Sequence, residues 1–180
     1  GKFNNEVGYP NTGGDPSKHD SESDCTICPV GKYQDDEGGK QCKQCPSGTY
    51  GTGTGFKSVT ECKVCPSGKY SESTNAGLDC SKCAKGKYLS DNGSDKSKHD
   101  SSADCMDCLK GTFNDVEAQP ECTECSQGKY QASRGATLCL NCPAGTWNDN
   151  SVGPSVIESH DEVDDCVVCE SGKYSSVPAA

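Results

Sequence analysis

Eight Cys-x-x-Cys pairs, opening at Cys25, Cys42, Cys62, Cys80, Cys105, Cys122, Cys139 and Cys166, use all sixteen cysteines of this 180-residue chain. Three chemistries employ that spacing. Two pairs together can hold a tetrahedral zinc ion, one pair with an activated thiol can exchange disulfides, and cystines can staple small secreted folds. Eight equivalent copies offer no privileged thiol for redox catalysis. Zinc would require the pairs to be taken two at a time.

The residues around the cysteines repeat with them. A glycine follows each second cysteine by three positions and an aromatic follows that glycine by two, as in CTICPVGKY from Cys25 and CLNCPAGTW from Cys139. The aromatics are Tyr33, Tyr50, Tyr70, Tyr88, Phe113, Tyr130, Trp147 and Tyr174. Phe3, in Gly1-Lys2-Phe3, reads as the end of a further copy, and the chain as a window from a longer array. Only Tyr9 and Phe56 stand outside this position. The glycine is expected at positive φ in a tight turn, preset by Pro29, Pro46, Pro66 and Pro143, that brings the aromatic back over the disulfide.

The repeat divides the chain into a tail of a preceding copy (1–24), seven repeats (25–41, 42–61, 62–79, 80–104, 105–121, 122–138 and 139–165) and the start of an eighth (166–180). The segments between aromatic and next cysteine are rich in Ser, Asp, Asn and Gly and read as surface loops. No useful helical periodicity appears. The expected fold is a string of small disulfide-rich repeats, mostly irregular with short β-hairpins, forming an elongated rod in which each loop touches only its neighbours.

Two pairings compete. Closed four-cysteine modules would join Cys25 to Cys42 and Cys28 to Cys45, and so on along the chain. A continuous ladder would join Cys28–Cys42, Cys45–Cys62, Cys65–Cys80, Cys83–Cys105, Cys108–Cys122, Cys125–Cys139 and Cys142–Cys166, leaving Cys25 and Cys169 to cysteines outside the window. Long loops precede Cys25, Cys105 and Cys166, with four copies between the first two and three between the last two. An odd count breaks a two-copy phase, so the ladder is favoured, although sequence alone does not fix connectivity.

All three histidines stand six residues before a first cysteine, as His19-Asp20 with Asp24, His99-Asp100 with Asp104, and His160-Asp161 with Asp164 and Asp165. The first reading is a turn in which Asp and Ser oxygens accept backbone N–H bonds. The second is a calcium site at Asp20, Asp24, Asp100, Asp104, Asp161 and Asp165, the one cofactor this chain suggests. Asn92-Gly93-Ser94 is an N-glycosylation sequon on a long loop.

The hydrophobic share of 31% is too low for an ordinary core, so the cystines must supply stability, which indicates an oxidising, extracellular or cell-surface setting. A net charge of −10 with scattered lysines argues against nucleic acid as a partner. No apolar run is long enough to cross a bilayer.

The run Cys-Pro-x-Gly-[Lys/Thr]-Tyr resembles ephrin-receptor-like cysteine-rich repeats and the first half-module of tumour-necrosis-factor-receptor cysteine-rich domains. The phrase His-Asp-x-x-x-Asp-Cys-x-x-Cys resembles repeats of large secreted algal proteins, diatoms among them. The resemblance implies a disulfide-rich extracellular repeat. No enzyme is expected, because catalysis needs unlike groups converging once and here every chemical group recurs. The expected role is structural, in a fibre, appendage or stalk that self-associates or contacts other extracellular proteins. The alternative is an adhesion or receptor ectodomain whose non-repeating patch would include Phe56 or Tyr9.

Overall fold

Two-residue strands are the longest that fit between a tight turn and a disulfide. The computed structural model, which describes residues 2–3, 25–72, 79–148 and 160–171, consists of them. One kind of strand is the residue after the motif glycine plus the aromatic: β1 (Lys2–Phe3), β3 (Lys32–Tyr33), β5 (Thr49–Tyr50), β7 (Lys69–Tyr70), β9 (Lys87–Tyr88), β11 (Thr112–Phe113), β13 (Lys129–Tyr130) and β15 (Thr146–Trp147). The other kind is the pair inside CxxC: β2 (Thr26–Ile27), β4 (Lys43–Gln44), β6 (Lys63–Val64), β8 (Ser81–Lys82), β10 (Met106–Asp107), β12 (Thr123–Glu124), β14 (Leu140–Asn141) and β16 (Val167–Val168). Each odd strand pairs with the even strand that follows it. The register places the aromatic opposite the first residue inside the next CxxC, as in Tyr33 against Lys43 and Tyr130 against Leu140. No α-helix occurs among the described residues. Three-residue 3-10 turns cover Val59–Glu61, Lys96–Lys98, Ser102–Asp104 and Val163–Asp165.

The hairpin starts from a turn closed by an N–H three residues after the turn carbonyl, such as Lys32 to Pro29, Thr49 to Pro46 and Thr146 to Pro143. The third residue of the turn is the motif glycine, with φ from +73° at Gly68 to +84° at Gly145, the value a type II turn requires there. The prolines therefore hold the first position of the turn and supply its carbonyl; they do not preset the second, as the sequence reading expected. Ala84, Leu109 and Ser126 supply the same carbonyl without a ring. Where threonine follows the glycine, its hydroxyl adds a second bond to that carbonyl, at 2.6 Å for Thr49 and 2.8 Å for Thr112.

Seven disulfides join the second cysteine of one copy to the first cysteine of the next: Cys28–Cys42, Cys45–Cys62, Cys65–Cys80, Cys83–Cys105, Cys108–Cys122, Cys125–Cys139 and Cys142–Cys166. This is the continuous arrangement of the two weighed above. Each bond encloses the turn, the first strand of one hairpin and the loop after it, while the second strand follows the closing cysteine.

The chain forms two compact units, Gly1–Pro66 with Tyr70–Ser81 and Gly93–Asp104, and Ser67–Lys69 with Lys82–Asn92 and Cys105–Ala180. Within the first unit the Gly31 amide donates to the Gly51 carbonyl and the Gly48 amide to Ser71, each bond running from a motif glycine to the residue after the next aromatic. Cys45 and Cys65 donate back to the carbonyls of Gly31 and Gly48. Within the second unit Gly86, Gly111 and Gly128 donate to Asn114, Gln131 and Asn148 in the same register.

Contacts also reach two copies along. A Cβ added at Gly48 would overlap the Lys96 carbonyl in the first unit, and one at Gly68 or Gly86 would overlap the carbonyl of Ala118 or Gly135 in the second. The expectation that each loop touches only its neighbours is thus too narrow, because a glycine without a side chain lets a more distant loop lie against it.

Burial concentrates at the sulfurs. Cys28, Cys65, Cys83 and Cys108 are fully buried, and the residue after each aromatic is buried too, whether apolar (Leu89) or polar (Gln34, Ser71, Asn114, Gln131, Asn148).

Candidate functional site

The aromatics are half-buried at Tyr33, Tyr50, Tyr70, Tyr88, Phe113, Tyr130 and Trp147. Tyr33 packs against Cys45–Cys62, the disulfide of the following loop. The side chain of Phe3 and all of Tyr174 lie outside the described residues. Phe56 joins Tyr33 on the same disulfide, and its ring fills the space over Gly51 and Gly53. It is therefore a loop plug where the sequence suggested a patch for a partner. Tyr9 lies outside the described residues.

The position after the aromatic is the part that the sequence reading missed. In three copies its amide ties the loop to the residue before the closing cysteine: Gln34 Nε2 donates to the Gln41 carbonyl at 2.5 Å, Asn114 Nδ2 to Glu121 at 3.1 Å and Gln131 Nε2 to Leu138 at 2.7 Å. Gln34 Oε1 and Gln131 Oε1 accept the Asp36 and Ser133 amides. These bonds permit polar burial, since a buried amide left unpaired is costly. The legible signal was an amide side chain after four of the seven described aromatics. Ser71 is too short for that reach, and its buried Oγ has no hydrogen-bond partner.

A second left-handed position falls five residues after the aromatic, at Gly38, Gly55, Gly93, Gly135 and, in one copy, Ala118 with φ +61°. From it the Gly55, Ala118 and Gly135 amides donate to the carbonyls of Cys28, Cys83 and Cys108.

His99 and His160 are both fully buried. His160 Nδ1 donates to the Lys129 carbonyl at 2.7 Å, while its own carbonyl accepts the Gln131 amide. The His99 carbonyl accepts the Ser71 amide. The histidine is thus a packing anchor within its unit, a role the capped-turn reading did not include. Asp104 accepts the Ser101 amide at 2.9 Å, and Asp165 accepts the Glu162 amide at 2.9 Å. These two calcium candidates thereby cap 3-10 turns. Asp100 and Asp161 are half-buried next to the histidines, and Asp20 and Asp24 lie outside the described residues. Among the described residues no group of three or more His, Cys, Asp or Glu converges as a metal-holding set.

Fourteen cysteines are bonded sulfur to sulfur, which leaves them no thiolate for zinc. Cys25 and Cys169 carry no bond in the structure and are half-buried. Asn92 is exposed, one residue before the left-handed Gly93.

Charges form local pairs. Lys43 Nζ lies 2.6 Å from Asp35 and 2.8 Å from Asp36. The hydrogen bond from Lys43 holds the Asp35 carboxyl below the usual carboxylate range, and the bonds to Asp35 and then Asp36 raise the lysine. Glu162 likewise raises Lys110, with which it pairs. All are solvent-exposed, so each contributes little to stability. A shallow, mostly apolar groove of about 280 Å³ lies in the second unit among Phe113, Thr123, Leu138, Cys139 and Lys129. Leu138, Leu140 and Met106 are exposed in that unit. No helix among the described residues is long and apolar enough to cross a membrane.

Comparison with known proteins adds two findings. The chain matches the tyrosine-protein kinase ephrin type A/B receptor-like family over residues 14–62, 96–137 and 116–155. It is also 33% identical over 135 residues to the "Sushi, von Willebrand factor type A, EGF and pentraxin domain-containing protein 1" of Rattus norvegicus and of Mus musculus. That similarity covers 67% of this chain and 4% of each relative.

Proposed function

Since the chain belongs to the tyrosine-protein kinase ephrin type A/B receptor-like family, we propose that it is an extracellular structural protein, a cystine-stapled repeat rod forming part of a fibre, appendage or stalk. One observation carries this reading: the same turn, hairpin, disulfide and backbone register recur copy after copy among the described residues of each unit. Repetition suits a scaffold, in which every length of chain does the same work. It suits catalysis poorly, so the protein is read as a non-enzyme that takes no cofactor. Its partners are further copies of itself or other extracellular proteins, and Asn92 carries a glycan.

Electron microscopy of unreduced native material tests the reading. Filaments with a constant axial repeat are the expected result. Dispersed single rods would overturn self-assembly and bring forward the second reading, an adhesion or receptor ectodomain. That reading draws on the groove beside Phe113 and on exposed Met106, Leu138 and Leu140, an apolar set of the kind that partner proteins cover.

A further inference from the structure

The seven disulfides define a second covalent route along the molecule. From Cys28 it crosses to Cys42, follows the three peptide steps to Cys45, crosses to Cys62, and continues in this way to Cys166. Between Cys28 and Cys166 the turn and loop of each copy lie on a bypass closed at both ends by one disulfide. The bypassed sequence varies widely, from a separation of 14 at Cys28–Cys42 to 24 at Cys142–Cys166, while the Cα–Cα span stays at 5.7 Å in both. Across all seven bonds the span runs only from 5.6 to 5.9 Å. The remaining steps are the CxxC segments, whose two inner residues are already strands in all eight copies and so hold little slack.

We propose that this ladder is a tension-bearing tether: load applied along the chain passes through disulfides and CxxC segments alone, so that the loops are mechanically silent and can vary in length and sequence without changing the tether's reach. The proposal deepens the structural reading above and rests on it. It explains why loop length is free while the three-residue CxxC step is constant. It also assigns the interior of each CxxC a mechanical role: a chain cut inside CxxC parts under load, whereas one cut in a loop does not.

The reach follows from chain geometry. Between Cys25 and Cys169, eight CxxC segments at about 3.5 Å per residue and seven disulfide spans give about 120 Å at full extension. Closed modules would leave three loops under load and extend to about 250 Å, and the reduced chain would reach about 500 Å at the same 3.5 Å per residue.

Single-molecule stretching of the full chain distinguishes these cases. DNA handles are attached through thioether bonds at Cys25 and Cys169, the two cysteines without a disulfide in the structure. The expected result is an extension that saturates near 120 Å, rising about fourfold when a thiol reductant is added. Saturation near 250 Å, or at the reduced length without reductant, overturns the proposal. A variant with four extra Gly-Ser residues after Val116 is expected to keep the oxidised length and to lengthen only when reduced; a longer oxidised form also overturns it. Failure here would leave the microscopy untouched, and dispersed rods in the microscope would leave the tether intact.

Discussion

The imidazole of His160 donates from Nδ1 to the carbonyl of Lys129 at 2.7 Å, across 31 residues of sequence, from a fully buried position. That bond ties the turn before Cys166 to the copy before it. His160→Ala removes the donor, leaves the carbonyl without this partner and opens a cavity. It is expected to cost about 2–3 kcal/mol. Thermal unfolding with disulfides intact checks this, and an unchanged midpoint would refute the anchor.

Ala118 occupies a left-handed backbone position that four other copies give to glycine. Left-handed conformation costs a Cβ-bearing residue about 1–2 kcal/mol, partly offset by the chain entropy that alanine saves. Ala118→Gly is therefore expected to stabilise the protein by up to about 1 kcal/mol. Gly68→Ala should act the other way and cost more than about 2 kcal/mol, because its Cβ would meet the Ala118 carbonyl in addition to straining the turn. Denaturant midpoints of the two variants on either side of the parent check both signs.

Arg134 is the chain's one arginine and is exposed in the loop closed by Cys125–Cys139. Cleavage there by an arginine-specific protease should leave a single species on a non-reducing gel and two fragments after reduction. Separation without reduction would place the disulfide elsewhere.

Asp35 titrates below the ordinary aspartate value near 3.9 because Lys43 bonds its carboxylate. Since the folded value is the lower one, the pair's small contribution is present above about pH 4 and is lost as pH falls through the depressed value. A carboxyl titration by NMR should find Asp35 shifted down, and Lys43→Met should return it to the usual range. An unshifted Asp35 in the parent would mean that the pair does not persist in solution.

The residues themselves already determined the unit of construction. Eight glycines in register with eight aromatics and eight CxxC pairs leave one local solution, a left-handed turn feeding a short strand, because only glycine takes that φ freely. The odd number of copies between long loops also favoured the continuous pairing over closed modules, without fixing it. What only the tertiary structure decided lies between copies. The residue after each aromatic is buried although it is often an amide, since its hydrogen bonds are made to loop carbonyls that no local pattern reveals. His99 and His160, set among acidic residues, are buried where their carbonyls accept the Ser71 and Gln131 amides of the preceding copies, which the spacing could not show. Local backbone preference is written residue by residue, whereas burial depends on which distant carbonyls and sulfurs the folded chain brings alongside.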